Sequence, residues 1–444
     1  IARIAVPVSL EMVFQLALGF VDQVIVGVLG AVAIASVGLA NSVTFIGVLT
    51  LSTLGGGASI LAARAFGAGD TRGVSRTTTV GLTVATLVAV LVSVVAALTA
   101  APLLRLLSPD ARVVEAALPY YGLVVASLPL VVIGAVASGV LRSLGHARTP
   151  MTVTMIAVVV NSVLAYLLVF GPGPLPALGL AGAAWATLAA QAFKAAALLG
   201  RLYGGRRHAS WAPPRVLSEW VSVSRSLLTL TLPLTATELF WSVGTLLFTL
   251  LFARVGTDAL AGVQIVNTIE GIFIVGSFGL MSAATSLIGQ AVGGGNHQLA
   301  LLRANVIVRT GLLTGVGFGV LFGLTAFALP TLYPRVGADV LAVAVWGIVI
   351  NAVFQWAKVG NMIRGGGVLP SAGDTRGVLL GDVVGAFAVG LPLAWLLAFP
   401  LGLGVGGLFA ARVLEELVKL AIFEVRSRRV RWHEVGAEVA AAHD

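Results

Sequence analysis

The chain of 444 residues contains no cysteine, only three lysines and five histidines, and charged residues make up 10% of it. Without cysteine, disulfides and thiolate chemistry are excluded. No glycine precedes a lysine, which excludes a phosphate-binding P-loop, although Gly55-Gly56-Gly57 and Gly293-Gly294-Gly295 are glycine-rich. The histidines lack metal-ligand spacing, and there is no Gly-x-Ser-x-Gly nucleophile motif. We therefore expect neither an enzyme nor a cofactor, and the glycines are attributed to tight turns or close helix packing.

The composition is strongly apolar, since 58% of the residues are hydrophobic. Soluble domains carry about 25% charged residues. Twelve apolar stretches have roughly the length that a helix needs to cross a bilayer. The sequence therefore predicts an all-α integral membrane protein with twelve transmembrane helices. The predicted spans are 4–29, 36–62, 78–100, 117–141, 150–170, 178–201, 226–252, 259–289, 304–329, 338–362, 375–398 and 403–425.

The positions of the basic residues predict the orientation of the chain in the membrane. They also explain the net charge of +9 without a nucleic-acid partner. If both termini are cytoplasmic, the inner loops and tail hold nineteen Lys or Arg and the outer loops hold four. That asymmetry is the positive-inside pattern of inner-membrane proteins. We expect a multi-pass protein of the plasma (inner) membrane with both termini in the cytoplasm. The inner set is Arg64, Arg72, Arg76, Arg142, Arg148, Arg201, Arg206, Arg207, Arg215, Arg225, Arg303, Arg309, Lys358, Arg364, Arg376, Arg426, Arg428, Arg429 and Arg431.

One polar interruption, residues 201–225, divides the chain into two repeated halves. At an offset of 226, Pro7 matches Pro233 and Asn41 matches Asn267. Arg142 matches Arg364 after a slip of four, and Gly182 matches Gly407 at an offset of 225. Each half has six spans, an even number, so the two repeats have parallel orientations. Such repeats are found in alternating-access transporters, in which the substrate path lies between the halves. The predicted domains are a bundle at 1–200, a cytoplasmic linker at 201–225, a bundle at 226–425 and a cytoplasmic tail at 426–444.

The first span carries three polar residues on one helical stripe: Glu11, Gln15 and Asp22. A carboxylate in hydrocarbon costs at least a few kcal/mol, so such acids usually face a bundle interior or a wet cavity. Asp22 is the leading candidate for the functional centre. The alternative hypothesis is that Asp22 and Glu11 only form pairs with a neighbouring helix.

Several motifs together resemble the multidrug and toxic compound extrusion (MATE) transporters. Phe20-Val21-Asp22 lies in span 1, and Arg64-Ala65-Phe66-Gly67-Ala68-Gly69-Asp70 follows span 2. The second motif is echoed by Gly289-Gln290-Ala291-Val292-Gly293-Gly294-Gly295 after span 8. Leu141-Arg142-Ser143-Leu144-Gly145 and Ile363-Arg364-Gly365-Gly366 look like paired Leu-Arg-Gly turns after spans 4 and 10. The Asp of the Na⁺-coupled branch is missing near Phe354-Gln355-Trp356, and the sequence looks closer to the DinF-like branch.

The resemblance implies antiport, in which an organic, often cationic, molecule is exported in exchange for H⁺ or Na⁺. The cation-coupling positions carried over by motif are Asp22, Asn161 and Thr187, which would also be the metal ligands if the ion is Na⁺. All three lie about seven to nine residues, or roughly 10 to 14 Å, from the outer ends of their spans. The family pattern usually has a second aspartate where this chain has Ala165. A lone buried carboxyl is more easily kept protonated, which favours H⁺ over Na⁺.

Further polar residues are candidates for the substrate cavity. Glu238 in span 7 and Glu270 in span 8 are predicted to attract cationic substrates, and Glu11, Gln15 and Asn41 are further candidates for lining the cavity. The alternative for the two C-terminal acids is a buried ion pair. Lys194 and Lys419 are expected to reach the inner interface, and Glu415 has the spacing for a helical ion pair with Lys419.

Two other functions are compatible with a polytopic fold. A lipid-linked oligosaccharide flippase or polysaccharide exporter of the same superfamily would have several basic residues in its cavity, whereas the charges in mid-membrane are mostly acidic here. A channel needs a selectivity ring, usually from oligomeric symmetry. We expect an antiporter whose partners are small organic substrates, H⁺ or Na⁺, and the lipid bilayer, acting as a monomer.

Overall fold

A computed structural model describes residues 1–172, 176–204, 208–430 and 432, and this part of the chain contains helices and no strand. Two π-helical segments, Arg364–Val368 and Val384–Gly390, interrupt the last third. The α-helices are Ala2–Gly27 (α1), Ala31–Gly67 (α2), Thr71–Leu98 (α3), Ala100–Leu107 (α4), Ala111–Ser143 (α5), Arg148–Phe170 (α6), Leu180–Tyr203 (α7), Leu217–Val255 (α8), Thr257–Gly293 (α9), His297–Leu332 (α10), Ala338–Ile363 (α11), Leu369–Ser371 (α12), Thr375–Val383 (α13), Leu391–Ala398 (α14) and Gly404–Arg429 (α15).

Ten helical stretches of the described residues are long and apolar enough to cross a membrane. The other two predicted spans correspond to α7 and α15, helices of 24 and 26 residues. Each predicted span thus finds a helical segment, and the all-α membrane fold is confirmed. The short α4 was not predicted as a separate element.

The internal repeat is visible in the turns that end corresponding helices. Gly69 after α2 and Gly295 after α9 both have positive φ, +72° and +67°. The next residue then caps the following helix: Asp70 accepts from the Gly73 amide at 2.7 Å, and Asn296 accepts from the Leu299 amide at 2.9 Å. Glycine is needed because other residues are strained at positive φ, and Asp or Asn is a favoured N-cap.

The described residues fall into two compact units. The N-terminal unit is Leu10–Thr231, and the C-terminal unit is Ile1–Ser9 together with the chain from Leu232 onward. In the N-terminal unit α2 and α5 approach closely, since a β-carbon at Gly55 would lie 2.9 Å from the Ala135 carbonyl carbon. In the C-terminal unit the Ser9 hydroxyl donates to the Gly276 carbonyl at 3.2 Å. The attribution of Gly55 to close packing and of Gly295 to a tight turn is thereby confirmed.

The two predicted Leu-Arg-Gly turns differ in structure. Arg142 lies at the end of α5, followed by a turn with Gly145 at φ +86°. Arg364 instead begins a π-helical segment, and the chain stays helical as far as Ser371. The prediction of a turn at Arg364 is wrong, because the glycines there pack against another helix: a β-carbon at Gly367 would lie 2.7 Å from Ala284 Cβ in α9.

The predicted linker is partly helical. The structure extends α7 to Tyr203 and starts α8 at Leu217, so regular helix covers both ends of 201–225. Between them, the Ser210 amide donates to Ser75 Oγ of α3 at 3.0 Å and the Ala212 amide to Thr79 Oγ1 at 3.1 Å. Three of the basic residues used for orientation, Arg206, Arg207 and Arg431, lie outside the described residues, as does the tail at 433–444.

Candidate coupling and charge sites

The structure brings Asp22 of α1 and Asn161 of α6 into contact. The Asn161 side-chain amide donates to Asp22 Oδ1 at 2.9 Å, although the two residues are 139 positions apart. Asn161 is 1% exposed, and its Oδ1 is buried without a hydrogen-bond partner in the described part of the chain. Asp22 is half-buried and takes part in no ion pair among the described residues. This pair therefore offers a carboxylate and an unused amide oxygen, both of which can hold a small cation.

The third predicted ligand is engaged elsewhere. The Thr187 hydroxyl donates to the Ala183 carbonyl one turn earlier in α7, at 3.1 Å. Ala165, one turn after Asn161, is 1% exposed and contributes no oxygen where a second carboxylate was expected. The carboxylate and the amide are thus placed together, and the role of Thr187 as a ligand stays a prediction.

Tyr120 of α5 lies near this site, which the sequence did not reveal. Its side chain is 8% exposed, and it lies within electrostatic range of Asp22. A phenol can donate a hydrogen bond to a carboxylate or accept one from a protonated carboxyl. The available signal was a Tyr120-Tyr121 pair inside an apolar span, but aromatic residues in spans are usually part of the packing.

Glu11 forms a buried ion-pair cluster in the N-terminal unit. Arg142 donates to Glu11 Oε2 at 2.6 Å, Lys194 Nζ lies 4.0 Å from Oε1, and the Thr154 hydroxyl donates to Oε1 at 3.0 Å. Glu11 itself is 1% exposed. The Lys194 ammonium is turned toward this carboxylate, and the expectation that Lys194 reaches the inner interface stays a prediction. A role for Glu11 in a substrate cavity stays a prediction.

The two other candidate cavity residues of the N-terminal half form no ion pair or side-chain hydrogen bond with the described residues. Gln15 and Asn41 are exposed on the surface of their helices. Asn267, the repeat counterpart of Asn41, is exposed as well. Their assignment to a substrate cavity stays a prediction.

The C-terminal unit contains a second buried charge cluster, centred on Lys358 of α11. Lys358 Nζ lies 2.6 Å from Glu270 Oε1 of α9 and 2.6 Å from Asn351 Oδ1. The alternative prediction for Glu270, a buried ion pair, is thereby confirmed. Lys358, counted as an inner-loop cation for the orientation, is instead an interior residue whose side chain is 11% exposed.

Glu238 differs from Glu270 in having no ion pair among the described residues. It is half-buried on α8 and lies within electrostatic range of Asp382 on α13. Asp382 is 3.3 Å from Lys419 Nζ, which also holds Glu415 at 2.7 Å. The predicted Glu415–Lys419 pair is confirmed. The expected position of Lys419 at the inner interface stays a prediction.

In the described residues no group of three His, Cys, Asp or Glu has the geometry to hold a metal ion. Both units instead contain buried acids that pair with lysine or arginine. Fold and site together define a class: a polytopic helical membrane protein built from two repeated halves, with ionisable groups inside its spans.

Comparison with known proteins gives the family. The MatE family model matches residues 7–167 and again 233–396, and the chain belongs to the MatE family. Members of this family are transporters rather than enzymes, which confirms the expectation that the chain is not an enzyme. The resemblance to the MATE transporters is confirmed, and the assignment to the DinF-like branch stays a prediction.

The similarity extends over almost the whole chain. A probable multidrug resistance protein NorM of Bradyrhizobium diazoefficiens is 29% identical over 455 residues, covering 98% of this chain and 94% of the relative. A protein of the same name from Deinococcus radiodurans is 32% identical over 427 residues, covering 92% and 90%. A crystal structure of a MATE in the bent conformation is 20% identical and superposes with a TM-score of 0.88, covering 99% of this chain and 96% of the other. This last likeness supports the fold alone.

Proposed function

We propose that the chain is a secondary active antiporter that exports organic, often cationic, drugs or toxic compounds in exchange for H⁺ by alternating access, with Na⁺ as the alternative ion. The names of the relatives support multidrug export. The observation that carries the coupling role is the Asp22–Asn161 contact, since Asp22 is an acid inside a span whose hydrogen-bond partner is neutral. Such an acid can take up and release a cation without breaking an ion pair.

The proton is favoured by the composition of the site. Sodium in proteins is held by several oxygen atoms, as are the other hard cations. Ala165 removes one expected carboxylate, and the Thr187 hydroxyl is bonded to its own helix. Protonation needs only the Asp22 carboxyl, which then becomes a donor and changes its hydrogen bond with Asn161.

The C-terminal unit is proposed to attract the cationic substrate through Glu238, which is half-buried and without an ion pair in the described chain. A flippase is less well supported, because Arg142, Lys194, Lys358 and Lys419 each lie within 4.0 Å of an acid and are not free to hold a pyrophosphate. We further propose a monomer in the plasma membrane with both termini in the cytoplasm, consistent with the distribution of Lys and Arg.

Drug uptake into proteoliposomes under imposed pH or Na⁺ gradients tests this function. A pH gradient alone is expected to drive transport, and Asp22→Asn is expected to abolish the coupled component. Asp110→Asn is the matched control, because Asp110 is a half-exposed acid that caps α5 outside the predicted spans. Transport that requires Na⁺ and ignores the pH gradient would overturn the proton assignment, and full coupled transport by Asp22→Asn would overturn the role of Asp22.

A further inference from the structure

The ammonium group of Lys358 is held by two oxygens from different helices. Glu270 Oε1 and Asn351 Oδ1 each lie 2.6 Å from Nζ. The amide of Asn351 is fixed in this orientation because its Nδ2 donates to the Gly347 carbonyl at 2.8 Å. Asn351 is 5% exposed and Glu270 6%. The result is a buried pair of acceptors fitted to a group with several N–H donors.

A third acceptor lies on the same face of α11. Gln355 is four residues after Asn351 and three before Lys358, which places the three side chains along one side of the helix. Gln355 is 0% exposed, and neither Oε1 nor Nε2 has a hydrogen-bond partner in the described chain. Buried amides are nearly always hydrogen-bonded. This amide is therefore available to a polar group bound beside it.

The same chemistry occurs in the N-terminal unit without a lysine. Asp22 and Asn161 also combine one carboxylate with one amide, 2.9 Å apart, and no ion pair of the described residues includes Asp22. In the C-terminal unit the lysine supplies the positive charge itself. Removing either charge of a buried pair leaves the other unpaired, which is strongly unfavourable. As long as the ion pair is intact, Lys358 therefore prevents a mobile cation from binding to Glu270.

We propose that Glu270 and Asn351 form a binding site for a primary ammonium group, which the tethered ammonium of Lys358 fills. Short hydrogen bonds from the ammonium to both oxygens select a group with N–H donors over a quaternary ammonium group. The site belongs to the C-terminal unit alone and does not depend on the direction of transport or on the coupling ion.

Lys358→Ala tests the proposal with propylammonium as the probe, because this ion replaces the three methylenes and the ammonium that the substitution removes. The full chain is purified in detergent, and its thermal unfolding midpoint is measured against propylammonium concentration. We expect saturable stabilisation of the variant and none of the unmodified chain. Tetramethylammonium at equal ionic strength should need about tenfold more, since it lacks the hydrogen bonds to a charged group.

Two further variants make the test specific. Lys358→Ala combined with Glu270→Gln should lose the response. Lys194→Ala is the matched control, because Lys194 Nζ is 4.0 Å from Glu11, whose carboxylate keeps Arg142 at 2.6 Å. An equal response to propylammonium in Lys194→Ala, or to tetramethylammonium in Lys358→Ala, would overturn the proposal.

A second route remains if Lys358→Ala does not yield folded protein. The chain has no cysteine, so Lys358→Cys introduces a unique thiol. Labelling it with 2-aminoethyl methanethiosulfonate attaches an ammonium group, whereas ethyl methanethiosulfonate attaches a neutral group of similar size. The aminoethyl label is expected to raise the unfolding midpoint toward that of the unmodified chain, and equal effects of the two labels would refute the ammonium site.

Discussion

Replacing Glu11 by glutamine should destabilise the protein far more than replacing Asp22 by asparagine, although both acids lie on α1. Glu11 accepts from Arg142 at 2.6 Å and lies 4.0 Å from Lys194. Glutamine would leave the two cations without a counter-charge in a site where Glu11 is 1% exposed. Loss of one partner of a buried pair costs about 3 to 5 kcal/mol, or about two to four orders of magnitude in the unfolding equilibrium.

Asp22 is the matched comparison, because its hydrogen-bond partner is the neutral Asn161 amide. Asparagine at position 22 keeps an oxygen that can accept the same bond. The expected loss is therefore at most about 1 kcal/mol, the net worth of one hydrogen bond. The two substitutions separate an acid that stabilises the fold from one proposed to bind the coupling ion.

The assay is heating of the detergent-solubilised variants, followed by measurement of the monodisperse fraction by size-exclusion chromatography. Thr154→Val controls for the loss of a single hydrogen bond to the same carboxylate, and should cost about 1 kcal/mol. Arg142→Gln combined with Glu11→Gln should be less destabilised than the sum of the two single variants, since contacting residues are not additive. An unfolding temperature of Glu11→Gln equal to that of the unmodified chain would refute the reasoning.

Three further predictions concern transport and pH. Ala165→Asp restores the second carboxylate and should make drug uptake into proteoliposomes more dependent on Na⁺; an unchanged Na⁺ dependence would contradict this site. Glu238→Gln should weaken equilibrium binding of cationic drugs more than that of neutral ones, and equal losses would assign Glu238 a structural role. The ring centroids of His146 and His208 lie 4.1 Å apart, and burial together with the neighbouring His146 lowers the pKa of His208 from its ordinary value of 6.5. The folded chain therefore binds fewer protons at His208 than the unfolded chain does, and the stability of the fold should decrease as the pH drops below about 6.5. His208→Phe should reduce the pH dependence of the unfolding midpoint between pH 7.5 and 5.5, and the same dependence in the variant would rule out His208 as its source.

The spans were predictable because the length and hydropathy of a membrane helix are local properties. The acid–amide contact of Asp22 with Asn161 was also within reach, since depth along two helices and the family motif agreed. Depth does not give rotation about the helix axis. Thr187 shares the predicted depth, but its hydroxyl is bonded to the Ala183 carbonyl.

The buried ion pairs were less accessible to sequence reasoning. Arg142 and Lys358 were assigned to the inner surface from their positions near span ends. Their long side chains instead reach acids 131 and 88 residues away in the chain. No local pattern connects such distant partners, and a cation near a span end has the same sequence whether it faces water or a buried acid.

The π-helical segments of the C-terminal unit also bear on how the repeat diverged. Gly182 lies 40 residues after Arg142, whereas its counterpart Gly407 lies 43 residues after Arg364. Both π-helical segments, Arg364–Val368 and Val384–Gly390, fall within this longer interval. A π-turn closes its hydrogen bond over one residue more than an α-turn does. Insertions that followed duplication of an ancestral half can therefore be accommodated inside a transmembrane helix, where lengthening would otherwise rotate every later side chain.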